Sequence, residues 1–180
     1  MTMSSECVVP TRQRVLHQQY REAPHEAWIR DYAQTVAGDT SDPFHGEVEP
    51  ANNAGHRWAY GIHRAVGGDH DAPNPGDLLA SALAACLHST IGMISQWLEI
   101  EVADLTVDVS AEVDVRGALR VDSSVPVGFQ RMHVSVTGRV VSGGNDTASL
   151  KTLAGSAEAC CVVMQTLKQG VDVRSEWRLS

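Results

Sequence analysis

The residues with the most distinctive chemistry in this sequence of 180 residues are four cysteines, Cys7, Cys86, Cys160 and Cys161. A deprotonated cysteine is a nucleophile and a metal ligand. The four cysteines show no CxxC spacing, so neither a zinc site nor a thioredoxin-type motif is predicted, and we expect neither a metal nor a cofactor. Cys86 and Cys161 lie on the apolar stripes of predicted helices. Cys86 is therefore either a small buried hydrophobe or a reactive thiol that faces an apolar pocket.

A thiol in apolar surroundings needs a nearby cation to become a thiolate, because burial raises its pKa. Cys86 lies too far along its predicted helix for that helix's own N-terminus to help, since this effect fades within a turn. Arg64 is the candidate cation, because alternation along a predicted strand at residues 56–66 places it on the face that carries the aromatic side chains. The alternative is a structural arginine at the strand end, bound to an aspartate of residues 69–71.

One long buried helix is predicted over residues 74–98. Asn74 is a suitable N-cap, Pro75 suits the first helical position, and Asp77 places a carboxylate in the first turn. The apolar residues that recur at helical spacing are Leu79, Ala82, Leu83, Cys86, Met93, Ile94 and Trp97.

The segments that must position this helix show both strand and helix patterns. Alternation of apolar and polar residues predicts a half-buried strand at residues 105–115 and an antiparallel return at 132–140. Helical spacing from about Thr147 predicts a second helix that ends at Gly170. Further strands are predicted at 45–48, 56–66 and 171–179, with a hairpin turn at 52–55. This order of elements predicts an α+β fold.

The first 44 residues are predicted to form an N-terminal helical extension, and residues 45–180 the main domain. Residues 11–37 are rich in Arg, Gln, Glu and Ala and are interrupted by Pro24, so two short helices are expected there. The extension has too few apolar residues for a separate domain. We expect it to pack on the main body or on a partner subunit.

The composition excludes some classes of partner. A formal charge of −8 and a pI of about 5.4 argue against nucleic acid and anionic membranes, which attract basic surfaces. No apolar run approaches the roughly 20 residues that span a bilayer, so no membrane segment is expected. The N-terminus has no apolar signal region, which favours a cytoplasmic protein.

Two motifs resemble the OsmC/Ohr family of thiol peroxidases. The first is NPGDLLASALAAC at residues 74–86, and the second is EACCVVMQTLKQGVDV at residues 158–173. The resemblance covers roughly residues 45 to 180. It implies antiparallel sheets wrapped around long central helices in an intertwined homodimer, with the N-terminal helical extension outside the family core.

The resemblance also implies roles for the cysteines. Cys86 matches the cysteine that reacts with peroxide, and Cys161 matches the resolving cysteine. Cys160 remains the alternative resolving thiol. The implied cycle begins when the Cys86 thiolate attacks an organic hydroperoxide and becomes a sulfenic acid. Cys161 then forms a disulfide with Cys86, and a dithiol reductant regenerates both thiols.

Other family positions are matched less fully. Arg64 lies near the family's catalytic arginine, and Arg57 is the second candidate. The family usually has a glutamate that orients this arginine, but Gly76 stands at that position and Asp77 is the candidate substitute. The family's second cysteine is usually followed by proline, whereas Val162 stands here.

The function that follows is reduction of organic hydroperoxides. A pocket formed by Leu83, Met93 or Trp97 would favour alkyl or fatty-acid hydroperoxides, although core packing is the better explanation for any one of these residues. The main alternative is a non-catalytic, stress-related OsmC-like dimer that binds an apolar ligand. A third possibility, acyl transfer at Cys86, lacks the Cys–His pair such chemistry usually needs, because His88 lies on another helix face.

Overall fold

The structure is a computed structural model that describes residues 7–38, 41–50 and 55–179. It confirms the α+β class, with helices, a three-stranded sheet and a two-stranded sheet. The chain divides into two compact units. The first comprises Ala82–Asp108 with the described parts of residues 1–10 and 135–180, and the second comprises the described parts of residues 11–81 together with 109–134.

Helix α2, Pro75–Trp97, is the long helix that the sequence predicts. Its start is a reciprocal cap. The Asn74 side chain accepts hydrogen bonds from the N–H groups of Gly76 (2.8 Å) and Asp77 (3.2 Å), and Asp77 accepts one from the N–H of Asn74 (2.9 Å). This arrangement satisfies backbone donors that a helix start leaves without partners.

The buried apolar side chains of the described residues lie in the first unit. They come from α2, from helices α4 (Thr147–Cys160) and α5 (Val162–Gln169) with the residue between these two helices, and from Ile100 after α2. They are Leu83, Leu87, Ile91, Ile100, Leu153, Ala157, Cys161 and Met164. Thr90 and Ser95 are also buried, and each donates its hydroxyl to a carbonyl oxygen of its own helix. This core therefore encloses the Cys161 thiol.

Strands β4 (Glu101–Glu112) and β5 (Arg131–Ser142) form the two-stranded sheet that the alternation predicts, but β4 begins before the expected residue 105 and ends before the expected residue 115. Side-chain bonds between opposite residues show an antiparallel pairing, with Thr106 facing Thr137 (2.6 Å) and Asp104 facing Arg139 (3.0 Å). The polar residues of β4 are exposed and the apolar ones are half-buried. A short helix α3, Val115–Ala118, follows β4.

The second unit contains an antiparallel sheet in the order β1–β2–β3, formed by Ala33–Thr35, His45–Pro50 and Trp58–Gly61. The strand predicted at 45–48 is confirmed, and residues 51–54 of the predicted hairpin turn lie outside the described residues. The strand predicted at 56–66 is too long. It ends at Gly61, whose N–H donates to the carbonyl of Pro73 (3.1 Å), and a 3-10 turn follows.

The N-terminal extension contains one of the two predicted helices. Helix α1, Val8–Glu22, is followed by a 3-10 turn at Pro24–Ala27. The prediction of a second helix after Pro24 is wrong, because Ala33–Thr35 pairs with β2 as strand β1. Proline stops the helix, and tertiary pairing then decides the conformation of the residues after it.

His45, the first residue of β2, connects this strand to the loop before α2. Its two ring nitrogens contact Asp42 (2.7 Å) and Asp71 (3.0 Å). The hydrogen bond to Asp42, followed by the one to Asp71, raises the pKa of His45 above its ordinary value. The same contacts lower the pKa of both aspartates.

The last predicted strand is also wrong. Residues 171–179 form no strand among the described residues, and the apolar side chains that alternate there are exposed: Val171, Val173, Trp177 and Leu179. A strand needs a neighbouring strand to receive its backbone hydrogen bonds. Residues 171–179 therefore have the pattern of a strand but no neighbouring strand among the described residues.

The expectation that no segment approaches membrane-spanning length needs correction for α2. Helix α2 is long and apolar enough to cross a bilayer by length and composition. One such helix is weak support for a membrane protein, because the central helix of a globular core has the same properties.

Candidate active site

Helices α4 and α5 meet at Cys161, whose backbone is extended with φ −75° and ψ 105°. The sequence predicts one continuous helix here, and the structure breaks it. The first N–H groups of a helix have no partner within it. The first main-chain bond of α5 runs from Gln165 to the Cys161 carbonyl (2.9 Å), so the N–H groups of Val162, Val163 and Met164 are left for other acceptors.

The Cys86 thiol lies at this helix junction. Burial raises its pKa, but hydrogen bonds from the Val163 N–H and from the Cys161 thiol lower it. The Thr90 hydroxyl and the Val162 N–H lower it further, and the pKa of Cys86 is below the ordinary value for cysteine. The groups that favour the thiolate here are neutral donors, whereas the sequence argument required a cation.

The two thiols of the hydrogen-bonded pair differ in access and acidity. Cys161 is 0% exposed, whereas Cys86 is only partly buried. Burial raises the pKa of Cys161, and the hydrogen bond with Cys86 raises it further despite the opposing N–H of Met164. Cys86 is therefore the more acidic and more accessible thiol. Because the thiolate is the reactive form, Cys86 is the better nucleophile for an entering molecule.

The other cysteines are placed differently. Cys160 is exposed at the end of α4, and Cys7 is exposed before α1. None of the four cysteines forms a disulfide within the described part of the chain. His88 is exposed on α2, as its predicted helix face requires. The structure therefore brings together the two cysteines on the apolar stripes.

Arg64 belongs to the second unit, where it begins a 3-10 turn and is exposed. The alternation that assigned it to the aromatic face of a strand fails, because that strand ends earlier. Its Nε donates to the main-chain oxygen of Asp69 (3.0 Å), a contact with the loop that the structural alternative proposes. Arg57 forms an ion pair with Glu47 (3.6 Å). A catalytic role for either arginine stays a prediction.

Asp77 also has a structural partner in the second unit, because it closes the cap of α2. The neighbouring residue, Gly76, stands at the position of the family's glutamate, and its surroundings leave little room for a side chain. A Cβ on Gly76 would lie 2.9 Å from the Asn74 side-chain oxygen and 2.9 Å from the ring of Phe129. The helix cap and this aromatic ring occupy the space that a larger residue needs. A role for Asp77 in orienting an arginine stays a prediction.

The residues predicted to form a substrate pocket are core residues or border the core. Leu83 is buried, and Met93 and Trp97 are partly buried. A separate cavity of about 930 Å³ lies in the second unit and is not lined by any of these three. Its lining is mainly apolar, with Val109, Val113, Val127 and Phe129, and it includes the tilted ring pair of His63 and His70 at 4.3 Å.

Sequence reasoning missed the donors to Cys86. Thr90 carries a readable signal, because a residue four positions after Cys86 lies on the same helix face. Its hydroxyl also donates to the Cys86 carbonyl (2.8 Å). The N–H groups of Val162 and Val163 carry only a weak signal, namely two β-branched residues of low helix propensity after the double cysteine.

Comparison with known proteins supports the fold and the family. The sequence model of the family described as OsmC-like protein matches residues 68–176. No curated protein matches the chain significantly. The crystal structure of an OsmC-like protein from Mycoplasma pneumoniae is similar over 79% of this chain and 89% of that one, with 13% identity and a TM-score of 0.62.

Two similar structures are organic hydroperoxide resistance proteins. The one from Legionella pneumophila has 20% identity and a TM-score of 0.57, covering 82% of this chain and 96% of that one. The one from Elizabethkingia anophelis has 17% identity and a TM-score of 0.58, and the match covers 81% of this chain and 92% of that one.

The fold and the site define a class of α+β proteins in which a long central helix presents one thiol to a second. The family match extends over more than half of the sequence, and the chain belongs to the OsmC-like family. The resemblance to the OsmC/Ohr family is thereby confirmed.

Proposed function

We propose that this protein is a thiol-dependent peroxidase that reduces organic hydroperoxides. The observation that carries the proposal is the division of roles between the two neighbouring thiols at the start of α5: Cys86 is partly exposed and its pKa is lowered, whereas Cys161 is buried and its pKa is raised. One thiol is acidified and accessible, and the other is buried beside it. A two-cysteine cycle needs this division between a first nucleophile and a protected second thiol.

The first step is attack by the Cys86 thiolate on the distal oxygen of the hydroperoxide. The O–O bond breaks, the alkoxide takes a proton to become an alcohol, and Cys86 becomes a sulfenic acid. The helix N-terminus favours the negative sulfur before the attack.

In the second step, Cys161 loses its proton and attacks the Cys86 sulfur. An S–S bond forms, the S–O bond breaks, and hydroxide leaves as water after protonation. A dithiol reductant then reduces the disulfide by exchange and is itself oxidised. A reducing compartment such as the cytoplasm would supply such a dithiol.

We also propose that the protein works as a homodimer. Its support is the exposed C-terminal segment, whose alternating apolar side chains include Trp177 at 79% exposure and Val173 at 81%. Isolated exposed apolar residues are ordinary, but a strand pattern without a partner is typical of an interface. Light scattering of the full chain should give twice the monomer mass, and a monomer at micromolar concentration would refute this part.

The second candidate function is binding of an apolar ligand with inert thiols. The cavity of about 930 Å³ in the second unit favours it, because ligand sites are concave and mostly apolar. This function makes the opposite prediction for the cysteines, since ligand binding would survive replacement of Cys86.

The test is consumption of cumene hydroperoxide by the full-length protein with a dithiol in excess. We expect turnover in the wild type and none in Cys86→Ser. In Cys161→Ser, a sulfenic acid should accumulate on Cys86 and be trapped by dimedone. Cys160→Ser is the matched control, because it removes the adjacent thiol and should retain turnover.

Two results would contradict the peroxidase proposal. Cys86→Ser could consume peroxide as fast as the wild type, or the wild type could show no reaction. Loss of the disulfide in Cys160→Ser alone would contradict the assignment of Cys161. Retained binding of a long-chain fatty acid by a peroxide-inert wild type would favour the second function.

A further inference from the structure

The imidazole of His45 contacts two carboxylates from different parts of the second unit. Its Nδ1 lies 2.7 Å from an oxygen of Asp42, three residues earlier in the chain, and its Nε2 lies 3.0 Å from an oxygen of Asp71. Asp71 belongs to the loop between β3 and α2, 26 residues further along the chain. Glu47, on the same face of β2, pairs instead with Arg57. Within the described part of the chain, Asp42 and Asp71 are therefore the charged groups that pair with His45.

Only the charged ring can serve both contacts. An imidazolium carries an N–H on each nitrogen, whereas a neutral imidazole carries one N–H and one lone pair. A neutral His45 directs its lone pair at one of the two carboxylates, so that contact becomes repulsive. Asp42 is held beside the ring by its closeness in sequence and by the N–H of Phe44 (2.9 Å), whereas the side chain of Asp71 is 61% exposed and can turn to water. Loss of one proton therefore breaks the contact with Asp71.

Asp71 is the end of a loop that forms part of the wall of the cavity in the second unit. His70, directly before it, lines this cavity together with Ile62 and His63. The N–H of His70 donates to the carbonyl of Ile62 (3.0 Å), and the rings of His63 and His70 pack at 4.3 Å. His70 has φ +54°, a left-handed conformation that residues other than glycine seldom adopt, so it depends on the contacts that fix the loop on either side.

Gly61 makes room for the contact between Asp71 and the sheet. It is the residue of β3 opposite His45, and a Cβ there would lie only 3.1 Å from a carboxylate oxygen of Asp71. Its N–H donates to the carbonyl of Pro73 (3.1 Å). When His45 releases Asp71, this main-chain bond and the one from His70 to Ile62 are left to hold the base of the loop.

We propose that His45 is a pH-sensitive clamp, whose charged ring holds Asp71, and with it the paired rings of His63 and His70 in the cavity wall, and whose neutral ring releases them. This clamp does not depend on the peroxidase reaction. The raised pKa of His45 keeps the ring charged at pH 6.5, and the lowered pKa values of Asp42 and Asp71 keep both carboxylates charged at pH 3.8. The clamp is therefore closed between these values and opens as the pH rises through the folded-state pKa of His45.

The first measurement is the nitrogen NMR spectrum of the His45 ring in the wild type as the pH is raised through its midpoint. The shifts of the two ring nitrogens show which of them carries the proton. We expect both to be protonated below the midpoint and only Nδ1 above it. A neutral ring that keeps its proton on Nε2 would hold Asp71 and release Asp42, and would overturn the proposal.

The second measurement is hydrogen exchange of the His70 amide, corrected for the intrinsic effect of pH on exchange. Exposed ion pairs contribute little, so we expect its protection to fall by up to about fivefold as His45 loses its proton. The amide of Ile100, which donates to the carbonyl of Ser95 (2.9 Å) in the first unit, is the reference and should keep its protection. Equal protection of the His70 amide on both sides of the midpoint would overturn the proposal.

Asp71→Asn separates the charge from the contact. Its amide can accept a hydrogen bond from a charged ring or donate one to the lone pair of a neutral ring, so protection of the His70 amide should no longer follow the charge of His45. Asp69→Asn is the matched control, because it removes an exposed carboxylate of the same loop and should retain the wild-type dependence. A folded Asp71→Asn with the wild-type dependence would overturn the proposal, and the ring spectrum of the wild type decides the question if this variant does not fold.

Discussion

Removing the Cys161 thiol should raise the pKa of Cys86. Cys161 is buried against Cys86 and, while protonated, donates its S–H to the Cys86 sulfur. A hydrogen bond to a charged group contributes about 1.5–3 kcal/mol, and a weak S–H donor lies at or below the lower end of this range. One pKa unit corresponds to about 1.36 kcal/mol, so loss of this donor in Cys161→Ala should raise the Cys86 pKa by about 1 unit or less.

The assay is thiolate absorbance in the ultraviolet as a function of pH, in a background in which the exposed Cys7 and Cys160 are serine. Cys161→Ser provides the comparison, because its hydroxyl keeps a donor at the same place. We expect Cys161→Ser to titrate no higher than the wild type, because O–H is a better donor than S–H, and Cys161→Ala to titrate above both. A folded Cys161→Ala that titrates at the wild-type midpoint would show that Cys161 does not stabilise the Cys86 thiolate.

Three further predictions concern stability. Leu87 is 2% exposed, so Leu87→Ala should lower the free energy of unfolding by about 2–5 kcal/mol, whereas the adjacent exposed His88→Ala should change it little; urea unfolding measures both. Asn74→Ala removes the α2 cap and should cost about 1 kcal/mol in the same assay, and an unchanged midpoint would contradict the cap. His45→Gln should lower the melting temperature most between pH 3.8 and 6.5, the ordinary pKa values of its aspartate partners and of histidine. Because the pKa of His45 is raised in the folded state, its contribution to stability is complete below pH 6.5 and is lost as the pH rises through the folded-state pKa. Because the pKa values of the two aspartates are lowered, their contribution is lost as the pH falls through their folded-state pKa values. A difference in melting temperature that does not depend on pH would refute this contact.

The elements predicted best are those whose own sequence pattern suffices. Helix α2 begins at Pro75, directly after the expected cap residue Asn74. This start was predictable because capping depends only on residues that are neighbours in the sequence. The strand β4 shows the expected exposure on alternate residues. Helical spacing also placed Cys86 and Cys161 on apolar stripes and left Cys160 off them, whereas the pairing of Cys86 with Cys161 was implied by the family resemblance.

The errors occurred where distant partners decide the structure. Residues 171–179 have a strand pattern, but a strand forms only beside another strand. Ala33–Thr35 forms a strand because it pairs with β2. The propensities of these three residues alone do not indicate a strand. The Arg64 argument assumed a regular strand, and the chain turns at Gly61 before reaching it.

The electrostatics of the candidate site could not be predicted for a related reason. A sequence displays charged side chains, so the search for a group to stabilise the Cys86 thiolate ended on an arginine. Backbone N–H groups are present at almost every residue and become distinctive only where a helix begins. The break at Cys161 creates such a start, and no strong helix-breaking residue announces it.

The most direct test of the proposed two-cysteine cycle is to oxidise the fully reduced protein with one equivalent of cumene hydroperoxide and map its cysteines by intact and peptide mass spectrometry within seconds. We expect loss of two hydrogens in a single cross-linked species that joins the Cys86 peptide to the Cys161 peptide. A protein that keeps four free thiols, or one whose new disulfide excludes Cys86, would contradict it.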